Sequence, residues 1–262
     1  LVGNIDGWLA GDDQISAQIM DKAMPRLKVI SKWGTGLDSI DLAAAEERGL
    51  PVCNTPAAFK DAVAEIAIGY LLELGRHIGK TNLLVKQGKW PKSQTQGLVN
   101  KTLGIIGYGA IGQAIAARAT AFQMPVLFFD PFFNGEPMPS HSHAKMLEDL
   151  LGNSDYVCLA CNMSPENYHL INEDTIAMMK KGSFLVNVAR GPLVDEAALI
   201  MALKQKHLAG AGLDVFEVEP LPKNSALLGI DNVILGSHNA NNVSSVVEHV
   251  HQNTLNNLYH HL

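Results

Sequence analysis

The sequence predicts an α/β protein made of two doubly wound, parallel-sheet domains. Strand-like apolar runs alternate with helix-period segments along most of the chain, which is the pattern of a parallel sheet whose crossovers are helices. A buried strand, a glycine-rich turn and a helix follow one another without a gap at 103–122. The chain has 262 residues, 47% of them hydrophobic, enough to bury the cores of two modest domains.

In the first series Leu1–Ile5, Leu27–Ser31 and Pro51–Cys53 read as strands. Ile15–Ala23 and Ile40–Arg48 read as helices, the second closed by Gly49 as a C-terminal cap. The chain opens on Leu1-Val2-Gly3 without methionine, a basic start or a long apolar stretch. That opening resembles the middle of a strand, not a signal peptide, so a preceding segment is expected.

From Asp61 to His77 the residues Val63, Ile66, Ala67, Tyr70, Leu71 and Leu74 recur at helical spacing, with Asp61 as N-cap. The polar stretch Gly79–Lys101, holding Gly88, Pro91 and Gly97, reads as a connection between domains.

A second series places strands near Leu103–Gly107, Val126–Asp130, Asp155–Ala160, Phe184–Val188, Gly210–Val215 and Val233–Leu235. Helices fall near Ile111–Phe122, Ala144–Leu151, Asp174–Met179 and Glu196–His207, and a last one at Val243–Leu258. The expected division is a first domain at 1–77, with 240–262 packing back onto it, and a second at 78–239.

Composition excludes several classes. A formal net charge of −6 with 18% charged residues leaves no basic surface for nucleic acid. No apolar run reaches the length of a membrane span. Cys53, Cys158 and Cys161 are an odd number and suggest no disulfide framework, so a reducing cytoplasm is expected. Cys158 and Cys161 have redox-motif spacing but lie at a strand end, whereas a reactive pair sits at a helix start. The close pairs His141/His143, His249/His251 and His260/His261 lack a third ligand in any zinc frame. They read as surface or helix positions, and no catalytic metal is expected.

The turn Gly107-Tyr108-Gly109-Ala110-Ile111-Gly112 has a strand before it and a helix after it, the context that gives this motif meaning. Gly107 permits the tight turn, Gly109 lets a pyrophosphate approach the backbone, and Gly112 lets helix and strand pack closely. The helix start, through Ala110 and Ile111, offers N–H groups and a partial positive charge. The next strand ends at Asp130-Pro131, with the carboxylate eighteen positions past Gly112. An acid there accepts from ribose hydroxyls and repels a 2′-phosphate, so a Rossmann domain that favours NAD over NADP is expected.

Three charged residues sit at the C-terminal ends of later strands, where doubly wound folds place their chemistry. Arg190 lies in VARGP, Glu219 in DVFEVEP and His238 in GSHNA. These segments, with SKWGTGLDSIDLAAAEERGLPVCNTP and VAEIAIGYLLELGRH, resemble the signatures of the D-isomer specific 2-hydroxyacid dehydrogenases over essentially the whole chain. The resemblance implies hydride transfer between NAD and a small 2-hydroxy or 2-keto acid held in a cleft between domains. His238 would then be the general acid in reduction, and Glu219 would favour its charged form. Arg190 would clamp the substrate carboxylate and polarise the carbonyl. It further implies substrate contacts from backbone around Thr35 and Gly36, nicotinamide orientation by Asp214, and a cofactor wall from Cys161, Asn162 and Ala189. The first domain would be flavodoxin-like and N-terminally incomplete, and the assembly a homodimer.

Ser237 stands where the family usually has proline, Ala160 and Asn162 replace a common His and Pro, and Asn239, Asn241 and Asn242 crowd the segment after His238. Lys32 occupies a position where phosphoglycerate dehydrogenases carry a basic residue, which is compatible with D-3-phosphoglycerate. The alternatives are a glyoxylate, hydroxypyruvate or lactate-type reductase, and, in a different class, an NAD-sensing regulatory or scaffold protein.

Overall fold

The computed structural model describes residues 2–262. In chain order its strands are β1 (Gly7–Ala10), β2 (Val29–Lys32), β3 (Val52–Cys53), β4 (Leu103–Ile106), β5 (Val126–Phe129), β6 (His141–His143), β7 (Tyr156–Leu159), β8 (Phe184–Asn187), β9 (Gly210–Leu213) and β10 (Val233–Leu235). Its α-helices are α1 (Ala17–Ala23), α2 (Leu42–Glu47), α3 (Lys60–Arg76), α4 (Ile78–Lys86), α5 (Ala110–Ala121), α6 (Leu147–Asn153), α7 (Glu173–Met178), α8 (Glu196–Lys204) and α9 (Ser244–His260).

The chain divides into two compact units, Leu1–Ala62 with Asn241–Leu262, and Val63–Ala240. The division falls at the start of α3, not at His77 where the sequence placed it. The reason lies in what α3 covers. A Cβ on Gly212 would meet Tyr70 Cβ at 2.8 Å and its ring Cγ at 2.9 Å, and one on Gly210 would meet Leu74 Cδ2 at 3.0 Å. Small residues on β9 let α3 lie close on the larger sheet.

In the first unit β1, β2 and β3 form a parallel sheet in that order. Ala10, Ile15, Met20, Ile30 and Leu50 fill its core, and Asp41 caps α2 by accepting the Ala44 N–H at 3.0 Å. Helix α9 packs on the same sheet, where Ser31 Oγ donates to the Thr254 carbonyl at 2.8 Å. The strand expected at Leu1–Ile5 is corrected. Leu1 lies outside the described residues, Val2–Asn4 is a single 3-10 turn, and pairing with β2 begins at Gly7. Gly3 and Asn4 favour a turn over a strand.

The second unit holds a seven-stranded, all-parallel sheet in the order β10-β9-β8-β7-β4-β5-β6. The order reverses between β4 and β7, which makes their C-terminal ends the switch point where such sheets bind ligands. β4, β7, β8 and β9 are buried along their whole length, as strands covered on both faces must be. Two features escaped the sequence reading. The start of the supposed connection at Gly79–Lys101 is the helix α4, which buries no residue and so lacks an apolar stripe to betray it. The segment His141–His143 is a short edge strand, and His141 is buried, contrary to its reading as a surface or helix position.

Candidate active site

The glycine-rich turn is shaped by what glycine lacks. Gly107 has φ +92°, and a Cβ there would strike the backbone of Ala160 and Cys161. A Cβ on Gly112 would collide with the Gly107 carbonyl, so α5 could not approach β4. Gly109, by contrast, is the N-cap of α5, uses no side-chain cap, and has open space on its Cβ side. Exposed Gly109 and Ala110, with Ile111 behind them, therefore present uncapped helix N–H groups to a free surface. A pyrophosphate fits that cradle, and the residues present suit NAD.

Asp130 ends β5 beside the cradle. Its Oδ2 accepts the Tyr108 N–H at 2.8 Å and its Oδ1 accepts the Phe132 N–H at 3.0 Å. The two amides fix the carboxylate, and each oxygen keeps a lone pair for a ribose hydroxyl. Under the turn, Tyr108 stacks on Phe128 with centroids 3.7 Å apart. Its hydroxyl meets His141 Nδ1 at 2.5 Å, while His141 Nε2 lies 3.0 Å from Thr120 Oγ1. Thr120 Oγ1 spends its proton on the Ala116 carbonyl, so Nε2 is the protonated nitrogen and Nδ1 accepts from the tyrosine. Burial holds the His141 pKa below its ordinary value.

The wall expected from Cys161 and Asn162 follows β7, with Gly107 seated against the Cys161 backbone. Burial pushes the Cys158 thiol up to about 12 and the Cys161 thiol up to about 11, so both are neutral, packed side chains.

Arg190 follows β8, and a residue the sequence reading missed sets it there. Asn187, buried at the end of β8, accepts the Ala189 N–H at 3.0 Å and donates to the Arg190 carbonyl at 2.8 Å. Arg190 Nη1 donates to the Ala189 carbonyl at 2.8 Å. Gly191 then presses on the backbone of Phe216 and Glu217, where any Cβ would overlap their atoms. The loop carrying Arg190 and the loop carrying Glu219 are thus in contact.

Glu219 Oε1 accepts the Phe216 N–H at 2.9 Å, and Glu219 Oε2 lies 2.6 Å from His238 Nδ1. His238 has φ +52°, a conformation uncommon outside glycine. Asp214 enforces it. The Asp214 carbonyl accepts the His238 N–H at 2.7 Å, and its carboxylate accepts the amides of Asn239 and Ala240 at 3.4 and 3.0 Å. Tyr70 Oη donates to the same carboxylate at 3.2 Å, and burial pushes the tyrosine pKa up. Asp214, expected to orient a nicotinamide, is therefore first of all the anchor of the His238 turn.

The remaining expected residues belong to the first unit. Thr35 is exposed after β2, its Oγ1 donating to the Thr55 carbonyl at 3.0 Å and its carbonyl accepting from Asn54 at 2.7 Å, with Gly36 next to it. Lys32 is buried at 6% exposure, and its ammonium donates to the Gly11 carbonyl and to Asp12 Oδ1 at 3.1 Å. Its charge is thus matched within the unit. Among the described residues, no group of three or more His, Cys, Asp or Glu could hold a metal ion.

A glycine-rich turn at a helix start, a strand-end carboxylate and an imidazole–carboxylate pair on one doubly wound parallel sheet are the features of an NAD-dependent oxidoreductase. Residues 68–240 match the family described as D-isomer specific 2-hydroxyacid dehydrogenase, NAD binding domain. The chain is 42% identical over 234 residues to a glyoxylate reductase of Thermofilum pendens, covering 86% of this chain and 69% of that one. It is 41% identical over 230 residues to a hydroxypyruvate reductase of Thermotoga maritima, covering 86% and 74%. Among solved structures it superposes on a D-lactate dehydrogenase of Aquifex aeolicus, complexed with NAD and lactic acid, with TM-score 0.89 and 30% identity, over 97% of this chain and 82% of that one. This chain belongs to the D-isomer specific 2-hydroxyacid dehydrogenase family, and it is an NAD-dependent enzyme acting on hydroxy acids.

Proposed function

We propose that the chain reduces a small, unphosphorylated 2-keto acid of the glyoxylate or hydroxypyruvate kind. The observation that carries the chemistry is the 2.6 Å contact between His238 Nδ1 and Glu219 Oε2. With Nδ1 engaged by the carboxylate, Nε2 is left to face a substrate oxygen. Reduced nicotinamide, when bound, supplies the hydride. As the carbonyl carbon is reduced its oxygen gathers negative charge, and His238 delivers the proton there. Glu219 holds the ring by Nδ1 and so orients Nε2 for that delivery. Arg190, fixed by Asn187, takes the substrate carboxylate in its planar fork. Thr35 and Gly36 are the proposed backbone donors to the same carboxylate, and Cys161, Asn162, Ala189 and Pro131 the proposed neighbours of the cofactor.

The pairing of Lys32 with Asp12 supports a substrate without phosphate, because a phosphate would have to compete with that carboxylate for the ammonium. The names of the relatives in Thermofilum and Thermotoga support the same choice. The test is loss of NADH absorbance with glyoxylate, hydroxypyruvate, pyruvate and 3-phosphohydroxypyruvate. Preference for the phosphorylated acid would overturn the substrate assignment. Silence with all four would favour an NAD-binding regulator.

We also propose a homodimer formed through the second unit. Ile78, Leu83, Trp90 and Val99 expose 58%, 59%, 79% and 55% of their surface on and after α4, apolar surface that a second copy would cover. Sedimentation of the chain and of Trp90→Ser checks this. The three free cysteines support a reducing, cytoplasmic setting, and no described helix is long and apolar enough to cross a membrane.

A further inference from the structure

A second imidazole–carboxylate pair lies in the same unit, and the chemistry above does not use it. His169 Nε2 is 2.5 Å from Glu217 Oε1, two residues before Glu219. The backbone of His169 is tied elsewhere, its N–H donating to the Pro192 carbonyl at 2.9 Å, two residues after Arg190. The neighbouring Ile171 extends this seam, donating to the Leu193 carbonyl at 2.9 Å and bridging Val194 in parallel. His169 is therefore bonded at once to the Arg190 loop and to the Glu219 loop. It holds φ +50°, a strained conformation for a residue with a Cβ. Two contacts complete the brace: Glu196 Oε1 accepts the Glu217 N–H at 2.7 Å, and Tyr168 stacks on the His169 ring at 4.0 Å. The segment bearing His169 also begins at Cys161–Asn162 beside the glycine-rich turn, and Asn167 Nδ2 closes it on the Asn162 carbonyl at 3.0 Å.

We infer that His169 is a positioning residue that sets the register between the guanidinium loop and the carboxylate loop, acting through Glu217. The inference rests on the oxidoreductase reading of Arg190, Glu219 and His238. Strain is retained where surrounding bonds over-determine the backbone, and here they run to both loops of the chemical site. A small displacement of either loop misplaces a carboxylate clamp or a proton donor, and such errors are costly to rate.

The test uses reduction of glyoxylate and hydroxypyruvate by the full chain, NADH binding followed by fluorescence, and thermal melting. His169→Leu should lower kcat by about tenfold or more and raise KM for the keto acid, with NADH affinity within about twofold of the parent. His169→Gln, whose amide can still donate to Glu217, should recover most of the rate. Glu217→Leu should reproduce the loss, and combining it with His169→Leu should add little more. Ile171→Val, a packing change on the same seam, should leave kcat and KM near their parent values. The inference is overturned if His169→Leu turns over normally, if His169→Gln is no better than His169→Leu, or if Ile171→Val causes the same kinetic change. An inactive parent chain would sink the oxidoreductase reading itself. An active parent with an indifferent His169 sinks only the positioning role.

Discussion

Glu219 Oε2 stands 2.6 Å from His238 Nδ1, which ties the segment after β9 to the segment after β10. His238→Ala should therefore cut turnover by roughly 10²–10⁴-fold while NADH affinity stays nearly unchanged. Glu219→Gln keeps an acceptor for Nδ1 but removes the carboxylate charge beside the ring, so it should lower kcat for the keto acid while NADH affinity stays nearly unchanged. Steady-state rates with NADH titrations decide the matter, and an unchanged kcat in Glu219→Gln counts against the pairing.

Asp130 is held by two backbone amides, one of them the Tyr108 N–H of the glycine-rich turn. Asp130→Ala should weaken NADH binding more than NADPH binding. An unchanged ratio of the two dissociation constants removes Asp130 from ribose recognition.

Gly191 and Asn187 fix the turn of Arg190. Gly191→Ala forces a methyl into the Phe216–Glu217 backbone, so it should cost about 1–3 kcal/mol of stability and disturb both loops together. Asn187→Ala leaves the Ala189 N–H and the Arg190 carbonyl without their partner, with a penalty of about 1–3 kcal/mol and a higher KM for the keto acid. Melting curves and substrate titrations separate the two effects.

His141 gives a pH signature to folding. Burial lowers its pKa below the ordinary 6.5 in the folded chain, so below that pH the unfolded chain binds more protons. Stability is then complete above pH 6.5 and falls as the pH drops toward the lower folded value. His141→Asn should flatten this decline, as read by urea midpoints between about pH 7 and about pH 5. A parallel decline in the variant would assign the effect elsewhere.

The second unit was legible in the sequence because its signals are local. GYGAIG between a strand and a helix, Arg190 after β8 and Glu219 after β9 are each fixed by neighbours a few residues away. The rest depends on tertiary placement. Nothing near Lys32 in sequence announces that Asp12, twenty positions upstream, takes its charge. His141 looked like a surface residue because a three-residue edge strand has too little periodicity to register. Tyr70 read as an apolar stripe residue of α3, and only the fold brings its hydroxyl to Asp214, 144 positions away. The long helix misled the domain boundary for a similar reason, since amphipathicity shows that a helix buries one face but not against which sheet.

The left-handed backbone at His238 sets chemistry against folding at a single position. A side chain in that conformation costs roughly 1–2 kcal/mol relative to glycine. His238→Gly would therefore give a chain that turns over poorly and yet melts no lower than a His238→Ala counterpart. Glycine would relieve the backbone but lose the Glu219 contact, so the imidazole sits in a conformation that its own side chain does not favour.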